Sequence, residues 1–159
     1  MNVVNDPAVT RFVERFAGSL EEAGFPRMPA RVFVALLATD SGSLTAAELA
    51  ERLHASPAAI SGAVRYLMQV RMVARDRVPG ERRDHYRITT EMWYEAVAQR
   101  DQILARWEED LEEGVKAVGL DSTAGARLEE TRQFFEFLRH EIPRAMAKWR
   151  EQRAADQAR

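Results

Sequence analysis

Apolar positions in the first seventy residues recur with the period of helices that turn one side inward. Between 7 and 23, Val9, Phe12, Val13, Phe16 and Leu20 fall at helical spacings, and AGFP at 23–26 ends the run. Pro29 suits a first helical turn, after which Val32, Phe33, Leu36 and Leu37 form a second stripe closed by TDSGS at 39–43. In TAAELAERLH, Thr45 and Glu48 have the spacing of a capping box, and Leu49, Ala50 and Leu53 mark the buried side of a short third helix. Ser56 as N-cap and Pro57 at the first helical position open a fourth helix, predicted to run to about Val70 with Ile60, Val64 and Leu67 on one face. Two short helices thus follow each other across a very short break.

After Val70 the pattern changes. MVARDRV and DHYRIT are extended stretches around PGER, which predicts a β-hairpin. Thr89 or Thr90 would then cap a long helix starting near Glu91. Along it Trp93, Val97, Arg100, Leu104, Trp107, Leu111, Gly114 and Val118 alternate at intervals of four and three. VGLDSTAG at 118–125 breaks this seam. A final helix repeats it with Leu128, Thr131, Phe135, Leu138, Ile142, Ala145 and Trp149; Pro143 is expected to bend or divide this helix, and the tail EQRAADQAR to fray.

The chain has 159 residues, 46% of them apolar, enough for one sizeable core. It has no cysteine, which excludes disulfides, thiolate metal sites and a cysteine nucleophile. The longest apolar run, Val32 to Ala38, is too short to span a bilayer, so a cytoplasmic protein is the expectation. No glycine-rich phosphate loop or Gly-x-Ser-x-Gly elbow is present. His54, His85 and His140 sit on separate elements, the carboxylates of WEEDLEEG read as a solvated helix face, and neither an enzyme nor a cofactor is expected.

Charge sharpens the picture. The formal balance is 23 basic to 25 acidic residues, net −2, which argues against a protein that coats nucleic acid over its whole surface. Yet Arg65 to Arg87 holds seven arginines against Asp76, Glu81 and Asp84, a local +4, whereas Arg100 to Glu113 is locally −4. Helix, short helix, tight turn, helix and basic hairpin is the order of a winged helix-turn-helix, in which the second helix of the pair enters the major groove and the hairpin touches backbone or minor groove. The expected fold is therefore mainly α with a small β-wing. A module at 28–90 would be flanked by a helix at 1–27 and a helical region at 91–159, both serving dimerisation.

On this reading Ser56, Ala58, Ser61, Arg65 and Gln69 of the recognition helix meet DNA, together with Arg77, Arg82, Arg83 and His85 of the wing. Gly62 joins the outer face, which is small near its start and lets the helix approach the bases closely; Arg65 is long enough for a guanine edge or a phosphate. Phe12 and Phe16, with the seam residues Leu128, Phe135, Leu138 and Ile142, are more apolar surface than so small a module can cover alone. A homodimer is expected.

SPAAISGAVRYLMQVRMVARD followed by GERRDHYRIT resembles the multiple-antibiotic-resistance regulator (MarR) family of bacterial transcription factors, with its GbsR-like branch as one candidate. Arg82 and Arg83 match the family's paired wing arginines, and Ile88-Thr89 its end-of-wing position. The resemblance covers roughly Arg31 to Thr90. It implies a homodimer held by terminal helices, one winged module per subunit, and often a small ligand that weakens DNA binding. Two such modules would take a pseudo-palindromic site with half-sites about one helical turn, roughly 34 Å, apart. The ligand expected is small and apolar, aromatic or quaternary-ammonium, in a crevice beside Met92 and Trp93. One departure stands out: many relatives have glycine where this chain has Arg71. A non-glycine residue in a left-handed turn costs on the order of 1 kcal/mol, which leaves the wing's direction open. The main rival reading is a helical dimer acting through protein partners without binding DNA.

Overall fold

The computed structural model describes residues 6–89 and 92–158, except for the side chains at 92–95 and 97–99. Thr90 and Glu91, proposed above as a cap and a helix start, lie outside the described residues, as do the side chains of Met92, Trp93 and Val97. The chain forms two compact units, Met1–Glu95 and Ala96–Arg159.

In the first unit, α1 (Pro7–Glu22) starts where the Asp6 carboxylate accepts the Ala8 N–H at 2.8 Å, with Pro7 in the first turn. It buries Val13 and Ala17. α2 (Arg27–Leu37) keeps Pro29 in its first turn and supplies Val32, Phe33, Val34 and Leu36, all essentially inaccessible, to the core. Leu37, read as part of that stripe, instead turns outward. Arg31 ties three helices together, because its guanidinium donates twice to Glu14 of α1, at 2.6 and 2.9 Å, and once at 2.9 Å to the Leu53 carbonyl.

β1 (Ser43–Thr45) was not foreseen. It forms the edge of an antiparallel sheet ordered β1-β3-β2, with β2 at Val73–Arg77 and β3 at Asp84–Ile88. Three residues are too few to show an alternation in the sequence, and Leu44, buried opposite Tyr86, is their main anchor. α3 (Ala46–Leu53) carries the capping box as read: Thr45 accepts the Glu48 N–H while the Glu48 carboxylate accepts from Thr45. The Thr45 backbone N–H, the largest influence on it, holds the Glu48 carboxyl below its ordinary range.

His54 is left-handed at φ 47° and closes α3; two residues on, Ser56 caps α4 (Pro57–Gln69). Ile60, Ala63, Val64 and Leu67 bury its inner face against the other helices. Arg71 does adopt the left-handed conformation, at φ 58°, so the turn into the wing keeps the form a glycine would give it. Local hydrogen bonds hold it there: Arg71 N–H reaches the Met68 carbonyl, Met72 N–H the Leu67 carbonyl, and the Thr89 hydroxyl donates to the Arg71 carbonyl at 2.9 Å.

The second unit is a helical hairpin of α6 (Thr123–Gln157) and the part of α5 (Met92–Val118) from Ala96 onward. Ser122 caps α6 by accepting the Gly125 N–H at 2.9 Å. Gly125 is obligatory, since any Cβ there would overlap the Gly119 carbonyl oxygen. Trp107 packs on Phe135 with centroids 5.3 Å apart, and Arg139 reaches both Asp101 and Glu108 at 3.2 Å. Pro143 does not divide α6, which continues to Gln157 through the tail expected to fray. The residues beyond the proline, rich in Ala, Arg, Lys, Glu and Gln, are strong helix formers.

Candidate nucleic-acid interface

α4 divides its residues as the periodicity required. Ala58, Ser61, Gly62, Arg65 and Gln69 are exposed, while Ile60, Ala63, Val64 and Leu67 are buried. Ser56 is exposed too, but its hydroxyl already accepts the Ala59 N–H at 3.2 Å, so it serves first as the cap. A Cβ built on Gly62 would meet nothing within 4 Å. The protein's own packing thus gives no reason for a glycine in mid-helix, where it costs about 0.5–1 kcal/mol relative to alanine. Arg65 has no ion pair or hydrogen-bond partner among the described residues, so its charge stands toward solvent.

The wing sorts its arginines by strand register. Pairing of Arg77 with Asp84, Arg75 with Tyr86 and Ala74 with Arg87 places acids beside the strand arginines. Arg75 and Arg77 lie 3.6 and 3.3 Å from the Asp84 carboxylate, and Arg87 donates to Asp76 at 2.6 Å, a hydrogen bond that raises its pKa. His85, half-buried in β3, contacts the Glu81 carboxylate at 2.7 Å. Of the five arginines from 75 to 87, only Arg82 and Arg83, at the exposed tip beside Gly80, lack an acid partner among the described residues. Arg75 and Arg87 were absent from the sequence-derived site. Their proximity to that site could be read from the charge count, but their pairing could not.

The seam residues named for dimerisation are placed differently from the apolar surface that stays open. Phe135 meets Trp107 of its own chain, Leu128 approaches Gly114, and Leu138 and Ile142 are half-buried. Phe12 is about half exposed and stacks on Phe16 at 5.9 Å. On the hairpin the open apolar side chains are Ile103, Trp107, Val118, Leu120, Phe134, Phe137 and Trp149, with Phe134 and Phe137 55% and 59% exposed. Neither phenylalanine was foreseen, because each sits one position off the four-three seam. Among the described residues no cluster of His, Cys, Asp or Glu could hold a metal, and no helix is long and apolar enough to cross a membrane.

A capped helix pair whose second helix shows a small polar face, followed by an antiparallel hairpin with unpaired arginines at its tip, defines a DNA-binding winged helix-turn-helix protein. Residues 23–84 match the model of the MarR family, and residues 91–152 that of MmpR5-like MarR family transcriptional regulators. The chain belongs to the MarR family of transcriptional regulators. It is 26% identical over 152 residues to the HTH-type transcriptional regulator MmpR5 of Mycobacterium tuberculosis, covering 95% of this chain and 92% of that one. A crystal structure of a transcriptional regulator superposes with a TM-score of 0.74 at 26% identity, covering 91% of this chain and 99% of the other.

Proposed function

We propose that the protein is a cytoplasmic homodimer that binds a pseudo-palindromic operator through α4 and the wing. The observation that carries this reading is the distribution of unpaired cations: Arg65 on the recognition helix, and Arg82 and Arg83 at the wing tip, face solvent without acid partners among the described residues. Guanidinium groups at a hairpin tip suit phosphate or a narrow minor groove, and a long arginine on an otherwise small helix face suits a base edge. Ser61, Gln69 and the tip arginines would share one duplex with Arg65, and Ala58 and Gly62 would leave room for the bases. Arg77 and His85, both engaged by acids, contribute less.

Titration with random duplex at low and moderate salt tests the role. Binding that weakens steeply with salt supports the regulator; no binding at low salt sinks it and favours a dimeric adaptor acting through protein partners. Selection of bound duplexes then gives the half-site and its spacing. The open aromatic side chains of the hairpin support the dimer. A small apolar, aromatic or quaternary-ammonium molecule modulates binding if it prefers one spacing of the two recognition helices. A ligand panel read by DNA affinity and thermal shift tests that part, and a uniform lack of response would make binding constitutive.

A further inference from the structure

The two faces of the wing are built differently. Alternation along paired strands puts Val73, Arg75 and Arg77 of β2 on the same face as Asp84, Tyr86 and Ile88 of β3. Val73 is buried in the core, and Tyr86 and Ile88 pack against it, so this is the face toward the helices. Asp76, His85 and Arg87 lie on the other. On the helix-side face the two oxygens of one carboxylate, Asp84, serve two arginines: Oδ2 lies 3.6 Å from Arg75 Nη1 and Oδ1 3.3 Å from Arg77 Nε. On the outer face each acid has a single partner, Asp76 with Arg87 and Glu81 with His85.

A carboxylate between two guanidinium groups offers the charge and paired acceptor oxygens of a phosphate diester. The arrangement is open: the side chains of Arg75 and Arg77 are 51% and 83% exposed. Ion pairs so exposed are weak, so an external oxyanion competes with Asp84 for the same donors. We propose that Arg75 and Arg77 form a second DNA phosphate site on the helix-side face of the wing, and that Asp84 masks it as an internal competitor. The inference rests on the DNA-binding reading above. A backbone phosphate that enters this site must displace the Asp84 carboxylate and approach its negative charge. Removing that charge relieves both effects, and does so on any sequence, because the contact is to backbone.

Asp84→Asn keeps the side chain's shape and one acceptor. Titrated by fluorescence anisotropy with a random duplex, the full-length variant should bind about tenfold tighter than the unmodified chain at low salt, with a salt slope steeper by about one to two units per wing. Asp76→Asn deletes the same charge from the opposite face and should leave the slope within about half a unit. Adding Arg75→Gln and Arg77→Gln to Asp84→Asn should abolish the gain. An independent reading comes from the arginine Nε–Hε signals of Arg75 and Arg77, which should move when random duplex is added to the Asp84→Asn variant. Wild-type affinity and slope in a folded Asp84→Asn variant would overturn the proposal. So would equal gains from Asp84→Asn and Asp76→Asn, since charge alone would then explain both, or side-chain signals that stay fixed on DNA. If the unmodified chain binds no duplex even at low salt, the DNA-binding reading fails and takes this inference with it; binding without the Asp84→Asn gain refutes the inference alone.

Discussion

Changing Arg82 and Arg83 to alanine removes the wing-tip cations that no carboxylate holds among the described residues. If each meets one phosphate, a dimer loses about four contacts, and at roughly 0.9 logarithmic unit per contact the salt slope flattens by about 3.6 units. Raising the salt fourfold should then weaken the unmodified protein about 150-fold more than the variant. Folding should be little affected, because neither side chain bridges to another strand and both lie in an exposed turn. Anisotropy titrations at several salt concentrations, on a selected operator and on a random duplex of the same length, measure the slope directly. Both duplexes should lose affinity by similar factors, since phosphate contacts carry no sequence information. Arg65→Ala is the contrasting variant: a bidentate contact to a base edge predicts a loss of about 1–3 kcal/mol, chiefly on the operator. A slope that stays within about one unit of the unmodified value would refute the tip assignment. Sequence selectivity lost with the tip pair but kept in Arg65→Ala would show the two roles reversed.

Gly62→Ala should raise thermal stability by up to about 1 kcal/mol, since its Cβ meets no protein atom, yet weaken operator binding several-fold; undiminished binding would refute close approach of the bases. Phe134→Ser with Phe137→Ser should abolish dimerisation in sedimentation while circular dichroism stays helical, whereas aspartate at the half-buried Leu138 and Ile142 would disturb the hairpin as well. Arg31→Met should cost about 2 kcal/mol in urea unfolding at fixed protein concentration, more than Glu14→Gln, because it also strips a donor from the Leu53 carbonyl; the reverse order would refute that account. Hydrogen bonds from Arg132 and then Gln133 lower the Glu129 carboxyl from 4.5 to about 2, so its stabilising contribution is full above the ordinary carboxylate range and is lost as pH falls toward 2. Thermal melts of Glu129→Gln should therefore show a shallower loss across that window, and an unchanged acid profile would refute the pairing.

The helix pair was legible because its boundaries are chemical. Thr45 with Glu48, and Ser56 with Pro57, satisfy backbone donors that must find partners whatever the tertiary context, and the structure uses them as read. β1 was not legible, since three residues show no period and their strand character comes from β3 alongside. At Pro143 the division of α6 did not occur, because strong helix formers on both sides carry the helix through it. Arg71 lies between these cases. The sequence left this turn open, because arginine stands where many relatives have glycine; the left-handed form is present, and hydrogen bonds from Arg71, Met72 and Thr89 offset its strain.

The basic region was legible in the sequence as a place, but the partners of its individual side chains were not. A count over Arg65 to Arg87 reports +4 and treats seven arginines alike. Register then separates them, because which arginine sits by which acid depends on how two strands align, and a one-residue slip would move every side chain to the opposite face. In the observed register the strand arginines at 75, 77 and 87 lie against Asp84 and Asp76, while Arg82 and Arg83 at the tip have no acid partner among the described residues. A chain of net charge −2 thus carries a locally basic point. The acids leave the total near neutral while their positions choose which cations remain free, so moving an acid within the wing should change DNA affinity even when the net charge does not.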